Sequence, residues 1–154
     1  MLKFKLKRFL KKDFFLSLFW KQNKWHNHGV FIHTLLVVYY VIKNKQYKMI
    51  PAAFLHDIGK PLCVYQDEDD KITGEYSFTN HEELSYQLIK DINSISNYTK
   101  DIVRYHYLIR GIENAKKKNQ TGKYKRQKRI YDKLDKKLIE DLKLFMIYDD
   151  LAKK

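Results

Sequence analysis

The stretch Ala52-Ala53-Phe54-Leu55-His56-Asp57-Ile58-Gly59-Lys60-Pro61 carries an apolar run up to an adjacent histidine and aspartate, then breaks it with Gly59 and Pro61. Read as structure, a helix beginning near Tyr47 runs into His56 and Asp57 and stops there. His56 offers an imidazole nitrogen and Asp57 a hard carboxylate oxygen, a pair suited to a divalent metal that holds water. Taken alone, the pair reads equally well as an ordinary helix end. Its company changes that reading, because His33 precedes it and His81, His106 and Asp149 follow it, each in an amphipathic setting.

Around this stretch the chain reads as one mostly helical domain. Its 154 residues can bury a real core. The composition is 44% hydrophobic and 15% aromatic, which excludes a disordered chain. Five Gly and two Pro leave few natural breaks, so helices joined by short connections are expected. No internal repeat is present. The single Cys63 excludes an internal disulfide framework and fits a reducing, cytoplasmic setting. A net charge of +13 favours phosphate-rich partners, although an AT-rich coding bias that replaces Arg by Lys explains much of the same charge.

From the N-terminus, residues 1–21 read as a basic and aromatic amphipathic helix packed on the domain, so that 1–27 forms an N-terminal segment and 28–154 the main domain. The apolar part is too short to span a bilayer and lacks a cleavage site; surface docking on a membrane is a minor alternative. Residues 30–43 form a helix with His33 near its start. Residues 64–78 change period and read as a short β-hairpin or extended insertion around the acidic Asp67 to Asp70 turn. A helix opens after Thr79 or Asn80, another covers 99–110 with His106, and a last one covers 130–151 and delivers Asp149. Between them, residues 116–129 hold eight Lys or Arg in fourteen positions and read as a solvated loop or loose helix extension.

His33 lies one helix and a connection before His56, and Asp149 must return from a separate helix. Bringing side chains from several helices to one point is how helical bundles build metal sites. These donors are nitrogen or hard oxygen and none is thiolate, which favours Mn, Fe, Ni, Co or Mg over a structural zinc. His33, then Leu55-His56-Asp57-Ile58-Gly59-Lys60-Pro61, then Asp149 resembles the HD superfamily of metal-dependent phosphohydrolases. The turn Asp67 to Asp70, Phe78-Thr79-Asn80-His81-Glu82-Glu83, Val103-Arg104-Tyr105-His106 and Tyr148-Asp149-Asp150-Leu151-Ala152-Lys153 resemble the HD domain of bacterial tRNA nucleotidyltransferases (CCA-adding enzymes). That likeness covers roughly residues 30–153. The nucleotidyltransferase domain has no counterpart in these residues, and the basic 116–129 stretch looks like an insertion.

The resemblance implies an all-α HD bundle of five to seven helices. It implies that His33, His56, Asp57 and Asp149 bind one divalent ion, and that His81 and His106 hold a second ion or the substrate phosphate, with Asp57 bridging. Lys60 would neutralise phosphate oxygens, Asp57 would orient or deprotonate water, and His81, His106 or Glu82 would protonate the leaving oxygen. Arg104 and Arg110 are more distant phosphate candidates. In the basic stretch, Lys123, Lys125 and Arg126 are candidates for nucleic-acid contact, with Tyr124 stacking on a base. His26 and His28 read as surface or supporting residues, the acidic turn lacks the spacing of a calcium loop, and nothing marks Cys63 as a nucleophile. The expected reaction is hydrolysis of nucleotides or RNA ends, as a 2′,3′-cyclic phosphodiesterase, nucleotidase or phosphatase. Hydrolysis of a dinucleoside polyphosphate or cyclic signalling nucleotide is the second reading, and a basic RNA-binding module with an inactive HD site is the third. The sequence leaves the oligomeric state open.

Overall fold

The computed structural model describes Gln22 and residues 27–154. The helix expected over residues 1–21, and His26, lie outside the described residues. The first described helix, α1 (Val30–Lys43), buries Val30, His33, Val37, Val38 and Val41. Spacings of three, four, seven and eight place these side chains on one inward stripe. A short 3₁₀ turn (Tyr47–Met49) leads into α2 (Ile50–Leu55), where Pro51 sits in the first turn and its missing N–H removes no helical bond. Buried Ala52 and Ala53 keep α2 slim, so that it packs against both α1 and α6 (Asn97–Tyr105).

The chain then turns through residues 56–59 into the single helical turn α3 (Lys60–Cys63), with Pro61 in its first turn. Gly59 is required here by packing. A Cβ on it would stand 2.6 Å from the His81 carbonyl oxygen and 2.6 Å from the Ser85 amide nitrogen, both backbone atoms of the next long helix.

The hairpin expected over 64–78 is present as β1 (Val64–Tyr65) paired antiparallel with β2 (Ser77–Phe78), in the register Val64 to Phe78 and Tyr65 to Ser77. Its acidic tip is helical rather than a bare turn. In α4 (Glu68–Thr73), Asp67 accepts from the Asp70 amide while Asp70 reaches back to the Asp67 amide, and Gly74 ends the helix at φ 69°.

Helix α5 (His81–Ile89) starts after Asn80, which takes a left-handed conformation at φ 60° and gives no side-chain cap. Asparagine tolerates that region better than most residues. Ser96 caps α6 through the Thr99 amide. The single helix expected over 99–110 is two: α6 ends at Tyr105 and α7 (Leu108–Lys117) begins after a bend at His106 and Tyr107.

The basic stretch differs from expectation most. Residues 116–129 are neither loop nor loose extension, because α8 (Thr121–Tyr131) is a full helix folded back on α7. A bare Gly111 lets the Gln127 side chain lie against α7, where a Cβ would stand 2.5 Å from its amide nitrogen. Helix α9 (Lys136–Leu151), capped by Asp135, closes the bundle against α1, α6 and α7. Its Leu142, Phe145 and Tyr148 join Val37, Val41, Met49, Ile102 and Val103 in one core.

The architecture is therefore all-α with one small hairpin, and six described helices run nine residues or longer. No described helix is long and apolar enough to cross a membrane.

Two glycine substitutions test this packing. Gly59→Ala is expected to cost about 1–3 kcal/mol, because backbone atoms that cannot swing aside must shift. Gly122→Ala, with nothing within 4 Å of the added carbon, is expected to leave stability unchanged or raise it by up to about 1 kcal/mol. Thermal melts of both variants decide it, and an unaltered melting point for Gly59→Ala would contradict the close approach.

Candidate metal centre

Each histidine of the site stands where a helix begins or ends, and a carbonyl without a helical partner fixes its ring. His56 follows α2 and its Nδ1 donates to the Ala53 carbonyl at 2.8 Å. His106 follows α6 and its Nδ1 donates to Val103 at 2.8 Å. His81 opens α5 and its Nδ1 donates to Phe78 at 2.9 Å. His33, in the first turn of α1, donates from Nδ1 to Ala152 at the end of α9 at 3.2 Å. The Ala53, Val103 and Ala152 carbonyls are of the kind helix ends leave unpaired, and imidazoles satisfy them here, while Phe78 belongs to β2. With Nδ1 committed to a carbonyl, Nε2 is the nitrogen each ring has left to offer a metal once it is deprotonated.

These Nε2 atoms converge on Asp57. His33 Nε2 lies 3.0 Å from Asp149 Oδ1 and 3.6 Å from Asp57 Oδ2, and His56 Nε2 lies 3.2 Å from Asp57 Oδ2 and 3.8 Å from Asp149 Oδ1. On the other side of the same carboxylate, Asp57 Oδ1 is 3.4 Å from His81 Nε2 and 3.8 Å from His106 Nε2. The two donor sets are thus His33, His56, Asp57 and Asp149 in one, and Asp57, His81 and His106 in the other. Asp57 gives one oxygen to each.

The surroundings keep the donors in ligand form. Burial works against the Asp57 charge, but His56 and Lys60 outweigh it and hold the carboxyl well below its usual range. Asp149 is held well below in the same way, chiefly by its bond with His33 and by Lys153. Burial lowers His81, and it pushes His106 down to about 3 with help from His81 and His56, so both stay neutral. His56 differs: burial lowers it, yet the neighbouring Asp57 charge raises it overall. Phe145 forms the apolar floor, its ring centroid 5.5 Å from His56 and 6.4 Å from His106.

Supporting residues complete the site. Lys60 is buried, its Nζ 2.7 Å from Asp57 Oδ2 and hydrogen-bonded to the Gln22 side-chain oxygen. Gln22 is itself fully buried and also bonds to the His28 carbonyl. Arg110 is turned onto Asp149 Oδ2 at 3.3 Å and Asp150 Oδ1 at 2.8 Å, and Lys153 meets the same two carboxylates at 3.0 and 2.7 Å. Asp149 therefore offers Oδ1 to the donor set and Oδ2 to these cations. Sequence reading missed Gln22, a glutamine far from any motif, and gave no role to Lys153 although the closing motif contains it.

The remaining sequence candidates lie further out. Glu82 stands at the rim, its Oε2 3.5 Å from His81 Nδ1. Arg104 pairs with Glu83 at 3.1 Å and lies over the Tyr86 ring. Lys123, Lys125 and Arg126 are exposed on α8, with Tyr124 half-buried, outside the donor sets. Cys63 is half-buried and joins neither set.

This donor set fits divalent ions. Neither Asp57 oxygen has a hydrogen-bond donor among the described residues, because Lys60 approaches Oδ2 outside hydrogen-bond alignment. His81 and His106 face each other Nε2 to Nε2 at 3.1 Å, a separation that a metal ion or a shared proton between the two lone pairs accommodates. Ligands about 2.1 Å from one ion stand roughly 3.0–3.4 Å apart, close to the separations seen.

Comparison with known proteins agrees. The family model for the HD domain matches residues 30–137. The chain belongs to the HD domain family. Its members are generally metal-dependent phosphohydrolases. The matched stretch holds His33, His56, Asp57, His81 and His106 of this HD domain, while Asp149 lies beyond it and is added by geometry. No curated protein and no solved structure matches the chain.

Two measurements follow. Arg110→Gln is expected to weaken Mn(II) binding about 10–100-fold in calorimetric titration, because Asp149 loses a partner that holds it in place; unchanged affinity would contradict that role. Burial, then the Glu82 charge, raises the Cys63 thiol to about 11. Only the thiolate alkylates, so a higher pKa means less of it at a given pH. Iodoacetamide should modify the native thiol roughly a hundredfold more slowly than the unfolded chain near neutral pH, with the rate climbing towards pH 11.

Proposed function

We propose that this HD protein is a metal-dependent hydrolase of phosphoesters in nucleotides or RNA ends, of the 2′,3′-cyclic phosphodiesterase, nucleotidase or phosphatase type. The observation that carries this reading is the buried Asp57 carboxylate, with one oxygen turned to each of two histidine-containing donor sets. The likeness of the sequence motifs to the HD domain of CCA-adding enzymes supports RNA ends among the possible esters.

Divalent ions held by His33, His56, Asp57 and Asp149, and by Asp57, His81 and His106, would supply the positive charge that acidifies a water and polarises a phosphoryl oxygen. The protein's own groups do the rest. Lys60 and Gln22 hold Asp57 from behind, so the buried lysine acts by fixing the carboxylate more than by reaching substrate. Arg110 and Lys153 keep Asp149 ionised and aimed. His81 and His106 commit Nδ1 to carbonyls and Nε2 to the donor set, which leaves them no proton to give. Glu82, partly exposed beside His81, is the group placed to protonate the leaving oxygen.

The second reading is a hydrolase of a dinucleoside polyphosphate or cyclic signalling nucleotide. The complete second donor set favours it, since paired ions clamp both the attacking and the leaving oxygen of a phosphoryl centre.

A panel of aryl phosphates, 2′,3′-cyclic nucleotides, nucleoside monophosphates and dinucleoside polyphosphates, assayed with Mn, Ni, Co, Fe, Mg or chelator, tests the reading. Turnover should require metal and fall to the chelator level in Asp57→Ala. Glu82→Gln should lower kcat about 10²–10⁴-fold while Mn(II) affinity is kept. Bound metal with no turnover on any ester would overturn the proposal.

A further inference from the structure

Beside the second donor set opens a groove of about 760 Å³. Glu82, Tyr105 and Tyr107 form its inner wall, and Arg126, Gln127 and Ile130 of α8 form its outer wall. Tyr107 stands at the inner end, its ring centroid 5.8 Å from that of His81. Most charges near the groove are already answered: Arg104 pairs with Glu83, and Lys128 with Asp132. Arg126 has no ion-pair partner among the described residues, and it is exposed. On a helix of 3.6 residues per turn, Lys123 falls on the same face as Arg126 and Ile130, about one turn before the first and two before the second. Lys125 and Arg129 point away from the groove wall, Arg129 about 60° round the helix from Arg126, and neither lines the groove. Tyr124, Gln127 and Tyr131 are the half-buried positions between.

The groove thus brings together tyrosine rings beside the second donor set and an uncommitted guanidinium on its other wall, with an ammonium about one helical turn along α8. Single-stranded nucleic acid presents the matching groups: reacting phosphate, base, next phosphate and the one after it. Aromatic rings that stack bases and cations that follow the backbone are how such strands are held. A mononucleotide would fill the tyrosine stretch and leave Arg126 and Lys123 without a phosphate.

We infer that the groove and the Lys123–Arg126 face of α8 form the path for the end of a single-stranded oligonucleotide, whose terminal ester reaches the metal centre. This rests on the phosphohydrolase reading above, and it assigns the polymer end over the free nucleotide as substrate.

The test removes two charges from either flank of one helix. Lys123→Gln with Arg126→Gln alters the groove face, and Lys125→Gln with Arg129→Gln is the control of equal charge. Fluorescein-labelled six-nucleotide RNA and DNA strands are titrated by anisotropy in chelator from 50 to 200 mM salt. A mononucleotide competes in a parallel arm, and turnover with Mn(II) is measured separately. The groove-face variant should bind the strand roughly tenfold more weakly and lose about 1.4 from the salt slope, about 0.7 per phosphate contact. The control should stay within about twofold of the parent. Both variants should hydrolyse a mononucleotide ester at the parent rate.

Equal losses on both flanks, or none on either, would overturn the path in favour of diffuse charge. Competition by the mononucleotide as strong as that by the strand would overturn it too. A flank-specific loss without metal-dependent hydrolysis of any ester would support the strand path and overturn the phosphohydrolase reading instead. A preference for RNA over DNA would identify contact with the 2′-hydroxyl.

Discussion

The structure depends on keeping one carboxylate charged in a place with almost no water. Asp57 is buried next to His56, whose ring meets Phe145, and a lone ion there would be neutralised or expelled. Around it the charges come in matched sets. Lys60 lies on Asp57, while Arg110 and Lys153 lie on Asp149 and Asp150. Three carboxylates and three cations leave this scaffold close to neutral, so divalent ions entering the donor sets would make it strongly positive. The charge that balances such a centre is an anionic substrate. A phosphoester thus suits the site by electrostatics as well as by family.

The same constraint shapes the fold. Every site histidine sits at a helix boundary; three give their Nδ1 proton to a carbonyl at a helix C-terminus, and His81 gives its own to Phe78 of β2. Helix breaks in this bundle do two jobs: they turn the chain, and they supply the acceptors that set imidazole tautomers. His33 shows it across the bundle, because its partner is the end of α9, the helix that delivers Asp149. Loosening that helix end would release a ligand and the orientation of its neighbour together.

Much of this was legible in the sequence, and the rest was hidden for identifiable reasons. Apolar periodicity and scarce Gly and Pro gave the helical bundle, and the period change after Cys63 gave the hairpin. The donors were legible because histidine and aspartate in that order carry chemistry. The bend at His106 was not, since neither Gly nor Pro marks it and its cause is tertiary: His106 turns inward onto Val103 and Asp57. Helix α8 was hidden by its charge, which reads as solvation. Its packing along α7, with Gln127 against a bare Gly111, is a tertiary contact that local sequence does not show. Arg110 was legible as a cation near the site but not as the partner of Asp149, because helix spacing gives proximity and not direction.

Net charge is consequently a poor guide until it is divided by place. Lys60, Arg110 and Lys153 are shielded against carboxylates and belong to the metal centre's own balance. Lys71 with Glu68 and Lys128 with Asp132 are surface pairs, of a kind worth little to stability. Compositional drift towards lysine explains such pairs and the exposed lysines at large, since it needs no partner. It does not by itself set an exposed guanidinium, Arg126, in the wall of a groove beside the site. Position, more than number, separates charge kept for a substrate from charge that merely keeps the protein in solution.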